Sequence, residues 1–215
     1  QIVAVGDEGG FAPQLNTNKD GFALLDKAIE KAGYSRDEID LGADFAASEI
    51  YQNNTYNLNR DNKVLSSDEL ISYYKDIIAT HNVFSFEDPF AEDDWESYSK
   101  FAQEVGSEKN IVGDDLFVTN TKRIQKGIDE KAANAVLIKM NQIGSVYETV
   151  QAIKLTQEAG WKVAISHRSG ETEDSFIADL AFACGADFLK AGSMSRSDRL
   201  AKYNRLLEIE GRELS

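Results

Sequence analysis

Cysteine is almost missing from this chain. Cys184 is the single one among 215 residues, so an intramolecular disulfide is excluded. Its neighbours Phe176, Ile177, Leu180 and Ala181 recur at helical spacing, which predicts a small buried thiol and fits a reducing cytoplasm. Positive charge is also scarce. Lys and Arg number 23 against 37 Asp and Glu, and the net charge of -14, with no basic stripe or tail, excludes nucleic acid as a natural partner. No apolar run approaches the ~18 residues of a membrane span. The opening residues Gln1-Ile2-Val3-Ala4-Val5 lack the basic region and long apolar core of a signal peptide, so the expectation is a soluble, cytoplasmic protein. Proline occurs twice, at Pro13 and Pro89, both in segments that read as loops. Low-complexity tracts are absent.

What is present is a hydrophobic content of 42%, enough for one domain spanning residues 1–215. Six apolar runs each end on a charged residue: Asp44, Glu87, Asp114, Lys139, His167 and Lys190. A helix-like segment separates successive runs, and after a longer first gap the repeat is about 25 to 30 residues, the size of a βα unit. In a parallel barrel the carboxyl ends of all strands meet at one face, which would bring these residues together. Ser66-x-x-Glu69 and Ser145-x-x-Glu148 are capping-box patterns that open two of the helices. Gly33, Gly106, Gly160 and Gly185 follow apolar periodic stretches where a left-handed residue would end a helix. The polar, Asn-rich stretch from Tyr51 to Ser67 reads as a hairpin or surface excursion. With a short strand at Ile2 to Val5 the count reaches seven βα units, where a closed barrel has eight. The expected class is therefore α/β, an incomplete TIM-like (βα) barrel, as in a truncated region of a larger protein.

Three carboxylates at neighbouring strand ends, Asp44, Glu87 and Asp114, would repel by about 3 kcal/mol per pair at ~5 Å, which a bound cation would relieve. All-oxygen ligation favours Mg²⁺ over Zn²⁺. The plainer alternative is that such acids are solvated strand caps. Asp88, Asp115, Glu92, Asp93 and Asp94 read as supporting residues, helix starts or solvated faces. Lys139 and Lys190 end apolar strands whose outer side is covered by helices, so both should face the barrel mouth, where neighbouring cations would make a lysine a usable base. A Mg²⁺ site with a lysine base suits abstraction of a proton α to a carboxylate. A structural ion pair with the acids is the alternative. Ser166-His167-Arg168-Ser169-Gly170-Glu171-Thr172 presents an imidazole, a guanidinium and two hydroxyls before a helix, an anion-binding arrangement. Glu8, in Gly6-Asp7-Glu8-Gly9-Gly10-Phe11, is a candidate general acid. His81 reads as structural.

Taken together, Gly6-Asp7-Glu8-Gly9-Gly10-Phe11-Ala12-Pro13, Ala46-Ala47-Ser48-Glu49, Phe86-Glu87-Asp88-Pro89-Phe90-Ala91-Glu92-Asp93-Asp94-Trp95, Gly113-Asp114-Asp115-Leu116, Lys139-Met140-Asn141-Gln142-Ile143-Gly144 and the Ser166 to Thr172 segment resemble the signature segments of the enolase family, in order along most of the chain. The resemblance implies a partial C-terminal barrel domain of a phosphopyruvate hydratase. It implies Mg²⁺ ligands at Asp44, Glu87 and Asp114, the α-proton base at Lys139 and the acid for loss of the 3-hydroxyl at Glu8. It implies contacts to the phosphate and carboxylate of 2-phosphoglycerate from His167, Arg168, Ser169 and Lys190. It further implies a homo-oligomer in the full-length form, with a surface-displayed pool as in other enolases. Enolases usually carry Lys-Thr-Gly around the last lysine, whereas here the segment is Lys190-Ala191-Gly192. The family's N-terminal α+β domain and first barrel elements have no counterpart in these residues, so the expectation is a fragment of the active enzyme. Two other readings stay open: another dehydratase of the same superfamily, and a non-catalytic partner-binding fragment.

Overall fold

The computed structural model describes residues 3–213. In chain order the elements are β1 (Ala4–Val5), β2 (Phe11–Ala12), α1 (Lys19–Lys31), β3 (Leu41–Asp44), β4 (Tyr51–Gln52), β5 (Thr55–Leu58), β6 (Lys63–Leu65), α2 (Ser67–Thr80), β7 (Val83–Glu87) and α3 (Trp95–Val105). They continue with β8 (Asn110–Gly113), α4 (Thr121–Glu130), β9 (Ala135–Ile138), α5 (Met140–Ile143), α6 (Val146–Glu158), β10 (Lys162–Ser166), α7 (Phe176–Ala183), β11 (Phe188–Lys190) and α8 (Ser197–Glu213). The class is α/β, and strand followed by helix is the repeating unit of an incomplete TIM-like barrel. Two compact units are distinguished. One comprises Leu15–Phe117 and Gln125–Asn134; the other comprises Val118–Ile124 with the described residues up to Gln14 and from Ala135 onward.

In the unit from Leu15, β3, β7 and β8 run parallel, with Asp44 opposite Glu87 and Glu87 opposite Val112. Every residue of β8 is buried, as expected for a strand covered on both faces. The core is aromatic. Tyr74 of α2 lies 4.6 to 5.8 Å, centroid to centroid, from Phe45, Phe86, Phe90 and Phe101, and its hydroxyl donates to the Pro89 carbonyl at 2.8 Å. Such ring pairs add about 0.5 to 1.5 kcal/mol each beyond their buried area. α2 begins where Ser66 and Glu69 form the complete capping box. The Tyr51 to Ser67 excursion is a three-stranded antiparallel sheet, β4-β5-β6, followed directly by α2. Asn53 and Asn54, at φ 53° and 60°, make its tight turn.

In the other unit β9, β10 and β11 are parallel, with Ile138 opposite Ile165 and Ser166 opposite Lys190. Three expectations are corrected. Ala4–Val5 pairs antiparallel with Phe11–Ala12, because Gly6 to Gly10 turns the chain back on itself with a 2.8 Å bond from the Gly6 N–H to the Gly10 carbonyl. The front strand is thus half of a hairpin, and among the described residues six strands lie in parallel pairing; Ile2, its expected first residue, lies outside the described residues. Gly33, Gly160 and Gly185 do adopt positive φ after helices, but Gly106 is right-handed at φ -67°. A Cβ there would fall 2.4 Å from the Ala102 carbonyl oxygen, so crowding and not handedness calls for glycine. Cys184 is half-buried and not fully enclosed, because it is the cap that follows the last residue of α7.

Candidate active site

The parallel register puts three carboxylates at the carboxyl ends of adjacent strands: Asp44 and Glu87 face each other as the last residues of β3 and β7, and Asp114 follows β8. Asp44 is exposed, whereas Glu87 and Asp114 are buried. Among the described residues, the acid group close enough to share an ion is a different one. Ligand oxygens of Asp88, Asp114 and Asp115 lie within 4.8 Å of one another, with Asp44 and Glu87 outside that cluster. Asp88 sits at φ 40° directly after β7, a left-handed conformation that costs energy and is held by its surroundings. Its carboxylate accepts from the Asp114 N–H at 2.9 Å, the Asp115 N–H at 2.7 Å and the Tyr98 hydroxyl at 2.9 Å. Burial pushes its pKa up to about 6, aided by the Asp114 charge and opposed by the two backbone donors. Asp88 therefore orients the Asp114–Asp115 backbone. Asp94, read as a supporting residue, helix start or solvated face, is a helix start: it caps α3 and accepts from Tyr56 and Ser67. Mutually close carboxylates, two buried and Asp115 half-buried, without nitrogen or sulfur donors are the ligand chemistry of a hard cation such as Mg²⁺.

The basic and hydroxyl residues belong to the other unit. Lys139 follows β9, half-buried, and its backbone N–H is fixed by the Thr119 hydroxyl at 2.8 Å. Thr119 is buried with φ 56°, an unusual conformation for a β-branched residue. Lys190 ends β11, and its carbonyl accepts the His167 N–H at 2.9 Å. His167 is buried just past β10, with its Nε2 3.5 Å from Glu8 Oε2. The Ser169 hydroxyl donates to Glu8 Oε1 at 2.8 Å, and Arg168 donates to Asn141 at 2.8 Å. Burial lowers the His167 pKa, reinforced by Arg199 and Lys190 against the pull of Glu8, so the imidazole is neutral at pH 7. Burial would raise Glu8, but the Ser169 hydroxyl and the charges of His167, Lys190 and Arg199 outweigh it and hold the carboxyl below its usual value. His81 takes the structural role expected of it, 2.7 Å from Asp26 and stacked on Phe22.

A family model described as the enolase C-terminal TIM barrel domain matches residues 1–215. The chain belongs to that family. Its relatives are lyase-type enzymes that usually use Mg²⁺, and the acid group around Asp114 is compatible with such an ion.

Within this enolase domain the Ser166 to Thr172 segment does not lead straight into a helix as expected. α7 starts only at Phe176, so the loop is held instead by side chains of α8. Arg199, fully buried, donates to the Arg168 and Ser169 carbonyls at 2.7 Å, to the Asp7 carbonyl at 3.1 Å and to His167 Nδ1 at 2.6 Å. Lys202, equally buried, bonds Glu171 at 2.7 Å and the Thr172 carbonyl. Neither residue is among the candidates that strand ends and motifs pick out. The signal was there: Arg199, Lys202, Leu206 and Ile209 recur at i, i+3, i+7 and i+10, which puts two cations on the buried stripe. The altered segment after Lys190 packs on the Glu8 loop, through the Ser193 N–H to the Glu8 carbonyl at 2.8 Å and the Ser195 hydroxyl to the Gly9 carbonyl at 2.7 Å.

Proposed function

We propose that this enolase C-terminal domain serves a Mg²⁺-dependent lyase that interconverts 2-phosphoglycerate and phosphoenolpyruvate. The observation that carries the reading is positional. Asp44, Glu87, Asp114, Lys139, His167 and Lys190 each end a parallel strand or directly follow one, the locations where barrel enzymes keep their chemistry.

The roles follow from the side chains. Asp44, Glu87 and Asp114 would hold Mg²⁺, with Asp88 and Asp115 supporting Asp114. When bound, the ion supplies positive charge for a substrate carboxylate that gains electron density as its α-proton leaves. Lys139 takes that proton from C2. The C2 electron pair forms the C2–C3 double bond as the C3–O bond breaks, and Glu8 gives a proton to the departing hydroxyl, which leaves as water. Glu8 is ionised in the ligand-free domain. An anionic substrate at Lys190, Arg168 and Ser169 would offset the positive charge that keeps its pKa low and draw the carboxyl toward its protonated form. His167, neutral and buried, is a hydrogen-bond donor to substrate oxygen. Homo-oligomerisation and a cytoplasmic location belong to the same reading.

The test is turnover. With 2-phosphoglycerate and Mg²⁺, phosphoenolpyruvate absorbance is followed for this chain and for a version extended at its N-terminus. Lys139→Ala is expected to lower the rate by about 10² to 10⁴-fold and to abolish exchange of the C2 proton with deuterated solvent. No turnover by either version, or turnover of an acid sugar instead, sinks the proposal.

A further inference from the structure

Arg199 uses all four of its terminal N–H groups inside the protein. Nη1 donates to the Arg168 carbonyl and to His167 Nδ1, and Nη2 donates to the Asp7 and Ser169 carbonyls. Asp198, 3.2 Å from Nε, offsets the buried charge. A guanidinium only donates and does not lose its proton in proteins. Nδ1 of His167 must then be the accepting nitrogen, with its lone pair on Arg199. In a neutral imidazole the one proton sits on Nε2. That atom is buried, has no hydrogen-bond partner among the described residues, and lies 3.5 Å from Glu8 Oε2.

We infer that Arg199 is a positioning residue: it fixes His167 as the Nε2–H tautomer and ties the Glu8 loop to the His167–Ser169 loop, so that a spare N–H is offered beside Glu8. The inference rests on reading this cluster as the substrate site, and it adds a residue that touches no substrate. The charged groups acting on the imidazole are Glu8, Arg199, Lys190 and Glu171. The first two make the contacts, and both favour a proton on Nε2. Gly192 shows how closely the guanidinium stem is held, since a Cβ there would lie 2.6 Å from Arg199 Cδ. Lysine could not replace the fork, because its three N–H groups radiate from one atom.

Long-range proton–nitrogen correlation NMR of the imidazoles in the nitrogen-15-labelled full chain at pH 7 tests this without any turnover. There are two histidines, and His81→Asn leaves one signal set to assign. The expected spectrum shows His167 protonated at Nε2 and bare at Nδ1. Arg199→Met is expected to shift both nitrogens toward values averaged over the two tautomers, and Arg199→Lys not to restore them. An Nδ1–H or doubly protonated His167 in the unaltered chain overturns the inference, and that measurement stands even where Arg199→Met does not fold. Wild-type nitrogen shifts in a folded Arg199→Met or Arg199→Lys chain overturn it as well. Failure to turn over 2-phosphoglycerate would remove the proposed reaction and leave the tautomer result in place.

Discussion

Glu171 and Lys202 meet at 2.7 Å, with the lysine fully buried and two backbone carbonyls completing its shell. Burial raises the Glu171 pKa, but Lys202 and the Arg168 and Thr172 N–H groups lower it more, so the net shift is downward. The folded state then binds fewer protons than the unfolded one in the carboxylate range. The stabilisation is complete above the usual glutamate pKa and is lost as pH falls through the lowered value. Glu171→Gln is expected to cost about 3 kcal/mol near pH 7, because a buried ammonium loses its charge partner, and to flatten the acid limb of stability against pH. Urea unfolding across the acid range measures both. The glutamate could be read from its motif and the buried place of Lys202 from the helical period, but their pairing could not, since the two are 31 residues apart and only helix packing brings them together.

Local signals carried further for whole elements than for their arrangement. Ser66→Ala should destabilise the unit containing α2 by about 1 kcal/mol, seen as a lower urea midpoint with an unchanged slope, because the Glu69 N–H loses its Oγ acceptor while the backbone N–H of residue 66 keeps the Glu69 carboxylate. Gly113→Ala is a sharper case. An added Cβ would lie 2.4 and 2.5 Å from ring atoms of buried Phe117, which cannot swing away, so a cost of about 1 to 3 kcal/mol is expected. The same strain falls on Asp114, the next residue, and Mg²⁺ affinity measured by calorimetry should fall with it. The capping boxes and the strand-end charges could be read because each is written within a few residues. The β1–β2 hairpin could not, since two-residue strands carry no periodicity to show which partner they choose.

At the scale of the whole molecule, binding and folding are linked. A ligand that binds only the folded state at 100 times its Kd adds about 2.7 kcal/mol, or roughly 5 to 10 °C in Tm for a chain of this length. Mg²⁺ is expected to raise the unfolding temperature by that order, with little rise in Asp114→Ala; calorimetric melting with and without the ion measures it. The net charge of -14 adds a general preference for cations that salt would screen, so the comparison belongs at fixed ionic strength. By itself the sequence determined the βα repeat, the capped helix starts and the charged residue closing each strand, because hydrophobic period, caps and strand ends are short-range features. Only the tertiary structure decided that Asp88 and Asp115 crowd Asp114, that Asp44 and Glu87 stand apart from that group, and that Arg199 orients His167. The Asp88–Asp114 and Arg199–His167 pairings join residues 26 and 32 positions apart, and their hydrogen bonds form only once packing has excluded water from both partners.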